Sequence, residues 1–174
     1  MGINKPQAMT VVEADKVREY LSETDRLIFD LSIETGLRIG DILKLRKCQI
    51  KKKMQIMESK TCKIRNVSIT DDLYERLPKG DEWCMHYVFR SPKTHLKHLS
   101  RSTYHRHLKI ALRASCVEIE LSAHSARKLY AMNVFRATGD IFAVQKALNH
   151  KYVTTTCDYL DIDIKKLIGE VKPV

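Results

Sequence analysis

The feature that most constrains this chain is its apolar spacing, which keeps a helical period almost throughout and changes to a period of two only once. Thr10-Val11-Val12-Glu13 has the form of a capping box and starts a helix that runs to about Leu21. A second helix begins near Thr24, and its apolar positions Leu27, Ile28, Leu31 and Ile33 run toward Gly36, a natural helix stop. A short helix after Arg38 carries Ile42, Leu43 and Leu45. The period then changes. Ile50, Met54 and Ile56 on one side of Ser59-Lys60-Thr61-Cys62, with Val67 and Ile69 on the other, predict a small antiparallel hairpin.

Helical spacing returns after the hairpin. Thr70-Asp71-Asp72-Leu73 caps a short helix, Pro78-Lys79-Gly80-Asp81 is a loop, and Tyr87-Val88-Phe89 reads as a brief strand ending at Ser91-Pro92. From Ser100 or Ser102 a basic helix runs to about Cys116, with Leu108, Ala111 and Leu112 as its apolar side. Further helices are expected near 123–138, 140–148 and 154–160. A last one, near 162–171, carries an apolar stripe of Ile164, Leu167, Ile168 and Val171. One strand pair among so many helices makes the expected class α+β, mainly α-helical with a small antiparallel β-sheet. Residues 1–9 read as a linker and residues 10–174, tail helix included, as one folded unit without repeats or low-complexity segments.

The 174 residues suit a single domain, and 44% hydrophobic content is enough to bury a core. The apolar runs fall far short of the roughly 20 residues that span a bilayer, and the N-terminus lacks a signal-peptide core, so a cytoplasmic setting is expected. A formal net charge of +10 favours a polyanionic partner, double-stranded DNA first, through counterion release. An anionic membrane would also attract that charge, but no basic amphipathic helix offers a large apolar face. Cys48, Cys62, Cys84, Cys116 and Cys157 are scattered and form no C-x-x-C pair, so they read as reduced thiols. His95, His98, His105 and His107 share a stretch with Lys93, Lys97, Arg101, Arg106 and Lys109, which would repel a metal cation. Neither a metal nor a cofactor is expected.

Six side chains carry the functional reading in chain order: Arg38 in Thr-Gly-Leu-Arg-Ile-Gly-Asp, Lys60 at the hairpin tip, His124 and Arg127 in His-Ser-Ala-Arg, His150 in Leu-Asn-His, and Tyr159 in Cys-Asp-Tyr-Leu. Taken singly, each has an ordinary explanation. Arg38 could be a solvated helix-start residue, Lys63 or Arg65 could replace Lys60, His124 and Arg127 could decorate a helix N-terminus, His150 could complement a helix C-terminus, and Tyr159 could be a core aromatic. Their joint occurrence, in order and in a basic chain, is what favours function.

This order resembles the tyrosine recombinase, or phage integrase, family from Thr10 onward, including the nine-residue step from His150 to Tyr159. The resemblance implies the fold of that family's catalytic domain, the DNA breaking-rejoining enzyme fold. It also implies site-specific DNA strand exchange through a 3′-phosphotyrosine. The chemistry independently suits these residue types. Attack on a phosphodiester builds negative charge on phosphate oxygens, and a guanidinium forks across two such oxygens at any physiological pH, so Arg38 and Arg127 can do what metal ions do in other nucleases. A phenolic Tyr159 conserves bond energy in a phosphotyrosine ester. The departing deoxyribose oxygen needs a proton, assigned to Lys60. His150 would hydrogen-bond the phosphate, and His124 would donate to phosphate or assist the Tyr159 proton. Asp41 matches an acid of the family and is expected to orient Arg38 or His124.

Two positions depart from the family pattern. Asn149 replaces the usual Gly before the second His, tolerable at a left-handed cap, and Lys128 replaces a frequent His. The resemblance further implies a preceding helical DNA-binding domain, a homotetramer on DNA from a domain that is monomeric alone, room for accessory DNA-bending proteins, and a tail helix passed to a neighbouring subunit. Two alternatives stand beside this reading. A type IB topoisomerase shares the catalytic set, and a non-catalytic DNA-binding domain would explain the charge alone.

Overall fold

The computed structural model describes residues 9–80, 84–94, 96–118 and 124–161. The expected tail helix near 162–171, most of the expected linker, and Asp81 lie outside the described residues. Met9, directly before the first helix cap, is already buried at 2% exposure.

Helix α1 (Val11–Glu19) starts with the capping box: Glu13 N donates to Thr10 Oγ1 at 3.2 Å, and Thr10 N donates to Glu13 Oε2 at 2.7 Å. Helix α2 (Glu23–Thr35) is capped by Ser22 and stops at Gly36, whose φ of 59° is left-handed. A four-residue helix α3 (Ile39–Ile42) follows Arg38. After a 3-10 turn at Lys47–Gln49, β1 (Lys53–Met57) pairs antiparallel with β2 (Ile64–Ser68) in the register Lys53↔Ser68 to Met57↔Ile64. Ile50 belongs to the turn before β1 rather than to the strand, because the ladder begins at Lys53. Helices α4 (Asp71–Arg76) and α5 (Arg101–Ala114) are capped by the hydroxyls of Thr70 and Ser100. The C-terminal part consists of α6 (Ser125–Thr138), α7 (Ile141–Leu148) and α8 (Val153–Leu160).

The segment Tyr87-Val88-Phe89 differs from expectation. It makes a single bridge, Arg46 to Tyr87, with another just past it from Arg90 to His98, and no continuous ladder. Its backbone is spent on loop pairing instead: Val88 N donates to Leu45 O at 2.9 Å and Leu99 N to Phe89 O at 2.8 Å. Apolar residues of β-propensity are buried there without a partner strand of matching length.

Two apolar clusters form among the described residues. The larger gathers Phe29, Leu31, Ile42, Leu73 and Leu108 from α1–α5 with the inner face of the hairpin, and the smaller gathers Ala131, Ile141, Val144, Leu148 and Leu160 from α6–α8. Packing of α2 on α6 joins them. That joint places the end of α2, the start of α6 and the end of α7 side by side.

Gly36 is where this closeness is most demanding. Its left-handed φ already disfavours a side chain, and a Cβ there would also overlap the Tyr130 ring of α6. Gly139 has a similar φ of 65° with nothing within 4 Å of the Cβ position. Gly139→Ala should therefore cost only the conformational term of about 1–2 kcal/mol, and Gly36→Ala at least about 1 kcal/mol more through overpacking. Urea denaturation of the two variants measures the difference, and equal losses would contradict the close α2–α6 approach.

Candidate active site

Arg127 lies in the first turn of α6 at 3% exposure. Its Nη1 donates to Gly36 O at 2.7 Å and its Nη2 to Leu148 O at 2.9 Å. Both carbonyls sit at C-terminal helix ends, those of α2 and α7, where left-handed Gly36 and Asn149 close the last turn. Such ends carry partial negative charge and favour a cation. Arg65 uses the same device: it points inward from β2, with Nη1 on Gly36 O at 3.1 Å and Nη2 on Thr35 O.

A carboxylate completes the arrangement. Glu58, just past β1, is fully buried, and its Oε2 lies 2.9 Å from Arg38 Nη1. The same oxygen accepts from Thr61 Oγ1 at 2.9 Å and from Asn149 Nδ2 at 3.2 Å. Its Oε1 faces Arg65 Nη1 at 3.6 Å and Arg127 Nη1 at 3.8 Å. Burial alone would raise the Glu58 carboxyl, but the hydrogen bond from Thr61, the close Arg38 contact and the charges of Arg38 and Arg127 outweigh it and lower it, so the group is ionised.

Tyr159 reaches this cluster from α8. Its hydroxyl donates to the carbonyl of His124 at 3.2 Å, the carbonyl that also accepts the Lys128 amide as α6 begins. The His150 ring stands edge-on to the Tyr159 ring, with centroids 5.7 Å apart. His150 Nδ1 lies 3.0 Å from the hydroxyl of buried Thr156, one turn before Tyr159 on α8. If the hydroxyl donates, His150 keeps its proton on Nε2.

A cleft of about 350 Å³ opens between Arg38, the hairpin turn at Ser59 and Lys60, Arg101 and His124. Lys60 is exposed at its rim. Asp41 lies beneath, and its Oδ1 accepts the Ser59 amide at 2.9 Å, so this carboxylate anchors the turn that carries Lys60. Arg38 pairs with Glu58. The six candidate residues and Asp41 thus converge on one site.

The electrostatics follow from burial among cations. Burial, and then the charge of Arg38, pushes Arg127 down to about 10, which leaves it charged at neutral pH. Burial, reinforced by Arg127 and Arg38, pushes His150 down to about 4. His124 is lowered by burial and by Arg127, Arg38, Lys60 and Arg101. Burial pushes Tyr159 up to about 12, against the pull of Arg127 and Arg38. At neutral pH the site holds charged guanidiniums, neutral imidazoles and a protonated phenol.

Residues 3–166 match the phage integrase family. The chain is 33% identical over 159 residues to a probable integrase/recombinase, YoeC, of Bacillus subtilis (strain 168), covering 85% of this chain and 84% of that protein. This chain belongs to the phage integrase family. Its fold is that of a tyrosine recombinase catalytic domain: it superposes on a crystal structure of XerA recombinase with a TM-score of 0.76 at 20% identity, covering 100% of this chain and 66% of that one. A crystal structure of XerH site-specific recombinase bound to its difH substrate gives 0.73 at 19% identity, covering 98% and 56%. The chain spans about half the length of several other curated relatives, among them tyrosine recombinases (53% and 55%) and a putative integrase/recombinase (58%).

Against the family pattern, the two departures have local explanations. Asn149 adopts φ 58° at the end of α7, as a left-handed cap requires, and also reaches Glu58. Lys128 is buried and pairs with Asp161. Sequence reasoning missed Glu58, Arg65 as a buried group, Arg101 and Thr156. A signal existed for the first two: Met54, Ile56 and Glu58 share one parity, and Arg65 shares that of Val67, so the alternation points both charges inward.

His150 links the site to pH. Its folded value lies below the ordinary histidine value near 6.5, so the unfolded chain binds more protons between about 6.5 and about 4. The stability contribution is complete above that window and is lost as pH falls through it. His150→Gln should flatten the fall, read as the difference between variant and wild-type unfolding free energies across pH 7 to 4. Parallel profiles would mean that His150 is not held neutral.

Proposed function

We propose that this chain is the catalytic domain of a site-specific DNA recombinase that cleaves and rejoins one strand through a 3′-phosphotyrosine at Tyr159, needing neither metal nor ATP. The carrying observation is the convergence of Arg38, Arg127, His150 and Tyr159 on one site, with Lys60 at the rim of its cleft. Arg38 and Arg127 bind the scissile phosphate and stabilise the charge that develops on its oxygens. His150 donates from Nε2 to the same phosphate. The Tyr159 oxygen attacks phosphorus and its proton passes to the neutral imidazole of His124. The bond from phosphorus to the 5′ oxygen breaks, and that oxygen takes a proton from Lys60. Asp41 supports the step by holding the Ser59–Lys60 turn. Rejoining is the reverse, with a 5′-hydroxyl attacking the phosphotyrosine.

Double-stranded DNA is the proposed partner, and a homotetramer the proposed working assembly. Family membership and the basic charge support both. The kinship with proteins named integrase or recombinase favours this reading over a relaxing topoisomerase.

A pool of nicked duplexes, randomised around the nick, should trap a covalent protein–DNA adduct visible on a denaturing gel. Tyr159→Phe should abolish the adduct and leave binding within roughly twofold, because only one hydroxyl is lost. An adduct formed by the Phe variant would overturn the nucleophile. Lys60→Ala should slow cleavage by about a hundredfold or more and recover on DNA with a bridging 5′ sulfur, whose departure needs no proton. Failure of the sulfur substrate to recover would move the acid to another group such as Lys63.

A further inference from the structure

Glu58 stands outside the reaction just described, yet its two oxygens meet, directly or through a neighbouring residue, four of the groups that the reaction uses. Oε2 takes Arg38 directly at 2.9 Å, the hydroxyl of Thr61 at 2.9 Å and the side-chain amide of Asn149 at 3.2 Å. Thr61 follows Lys60 in the chain, and Asn149 precedes His150. Oε1 faces Arg127 at 3.8 Å and Arg65 at 3.6 Å. One fully buried carboxylate therefore touches, or lies one residue from, four groups that come from four separate parts of the chain.

We propose that Glu58 is the positioning residue of this site: it sets the spacing of Arg38 and Arg127 and fixes the Lys60 turn and the His150 junction relative to them. The inference rests on the recombinase reading for its consequence, though not for its geometry.

The physical case has three steps. Arg38, Arg65 and Arg127 crowd one small volume, and like charges at such separations repel unless an anion lies between them. Helix-end carbonyls serve Arg65 and Arg127, whereas Arg38 begins α3 with no capping hydrogen bond, and Glu58 is its ion-pair partner. Without Glu58, Arg38 would turn toward solvent. The Arg38–Glu58 contact joins Nη1 to Oε2 at 2.9 Å but is poorly aligned as a hydrogen bond, since the buried Arg38 Nη1 has no hydrogen-bond partner. Charge holds that one edge of the guanidinium, so its other N–H groups remain available to phosphate oxygens. A carboxylate aligned in a bidentate fork would instead consume them.

The turn is the second element. Glu58 O accepts the Cys62 amide at 2.9 Å, and Cys62 sits at φ 54°, so backbone and side chain of one residue close the loop that carries Lys60. The third is Asn149, whose left-handed backbone ends α7 while its side chain reports to Glu58.

The test compares Glu58→Gln, Glu58→Asp, Thr61→Val and Thr61→Ser with wild type. Single-turnover cleavage is measured on the nicked duplex selected from the randomised pool, and DNA affinity separately. Glu58→Gln should lower the cleavage rate by about a hundredfold while Kd changes less than about threefold, because phosphate is bound but misplaced. Glu58→Asp, which keeps the charge, should recover about tenfold of that loss. Thr61→Val should slow cleavage by about tenfold, and Thr61→Ser, which keeps the hydroxyl, should restore it. A merely structural role would shift stability without this split between rate and affinity, or the rescue by Ser.

Nitrogen NMR of the arginine guanidinium groups gives a readout free of DNA. The Arg38 guanidinium should rotate slowly in wild type, held through Nη1 by its ion pair with Glu58, and rotate freely in Glu58→Gln. If Glu58→Gln fails to fold, the Thr61 pair and Glu58→Asp decide by the same measures. Wild-type-like cleavage by Glu58→Gln, beside a wild-type adduct, overturns the positioning role and leaves the recombinase reading intact. Absence of any wild-type adduct overturns the recombinase reading, and the NMR comparison then decides alone whether Glu58 orders the arginines: an unchanged Arg38 signal rejects it.

Discussion

Arg127 holds its positive charge at 3% exposure, and removing such an ion from water costs several kcal/mol even after relaxation. The carbonyls of Gly36 and Leu148 and the Glu58 carboxylate offset that cost, and each of them must arrive from a different element. The arrangement of α2, α6, α7 and the hairpin can be read as the solution to this one problem. Two helices end on left-handed residues so that their last carbonyls remain open, and a strand pair delivers a carboxylate between them. Neither cluster of apolar residues could specify that geometry alone, because burial is non-directional whereas each guanidinium N–H demands an acceptor along its own axis.

The same burial explains the rest of the electrostatics. Among the described residues, three guanidiniums against the Glu58 carboxylate leave the pocket positive; burial first, and that excess after it, keep His150 and His124 neutral. A phosphodiester brings the missing negative charge in the planar oxygen arrangement that a guanidinium fork matches. In the proposed reaction the enzyme therefore pays nothing at the moment of bond breaking for reorganising its dipoles, since they were fixed when the chain folded.

Much of this was legible in the sequence, for local reasons. Helix ends at Gly36 and Asn149 could be read because few residues tolerate a left-handed backbone, and the hairpin because alternation is a short-range pattern. The six candidate residues were legible through order and spacing. Tyr87-Val88-Phe89 misled because β-propensity reports fitness for a half-buried surface, which a bridged loop also supplies. Asp41 was placed at the site, but its partner, the Ser59 amide, lies across a tertiary contact that no spacing encodes. Glu58 and Arg65 carried an inward parity that ordinarily argues against a charged residue. Their meaning appears only when three helix ends and a strand are brought together.

Tyr159 presents a last constraint. With its hydroxyl pushed up to about 12 and donating to a backbone carbonyl, the phenol in the free protein is a poor nucleophile. The neutral imidazoles nearby are weak bases while they are buried beside the excess positive charge of the guanidiniums. In the proposed reaction, phosphate binding changes the second condition through the same charges: an anion between the guanidiniums cancels the field that depresses the histidines, so their affinity for a proton rises as the electrophile arrives. The base thereby becomes competent only when there is phosphorus to attack. Burying the arginines, which the fold must do to align them, thus also keeps the proposed base unready until substrate is in place.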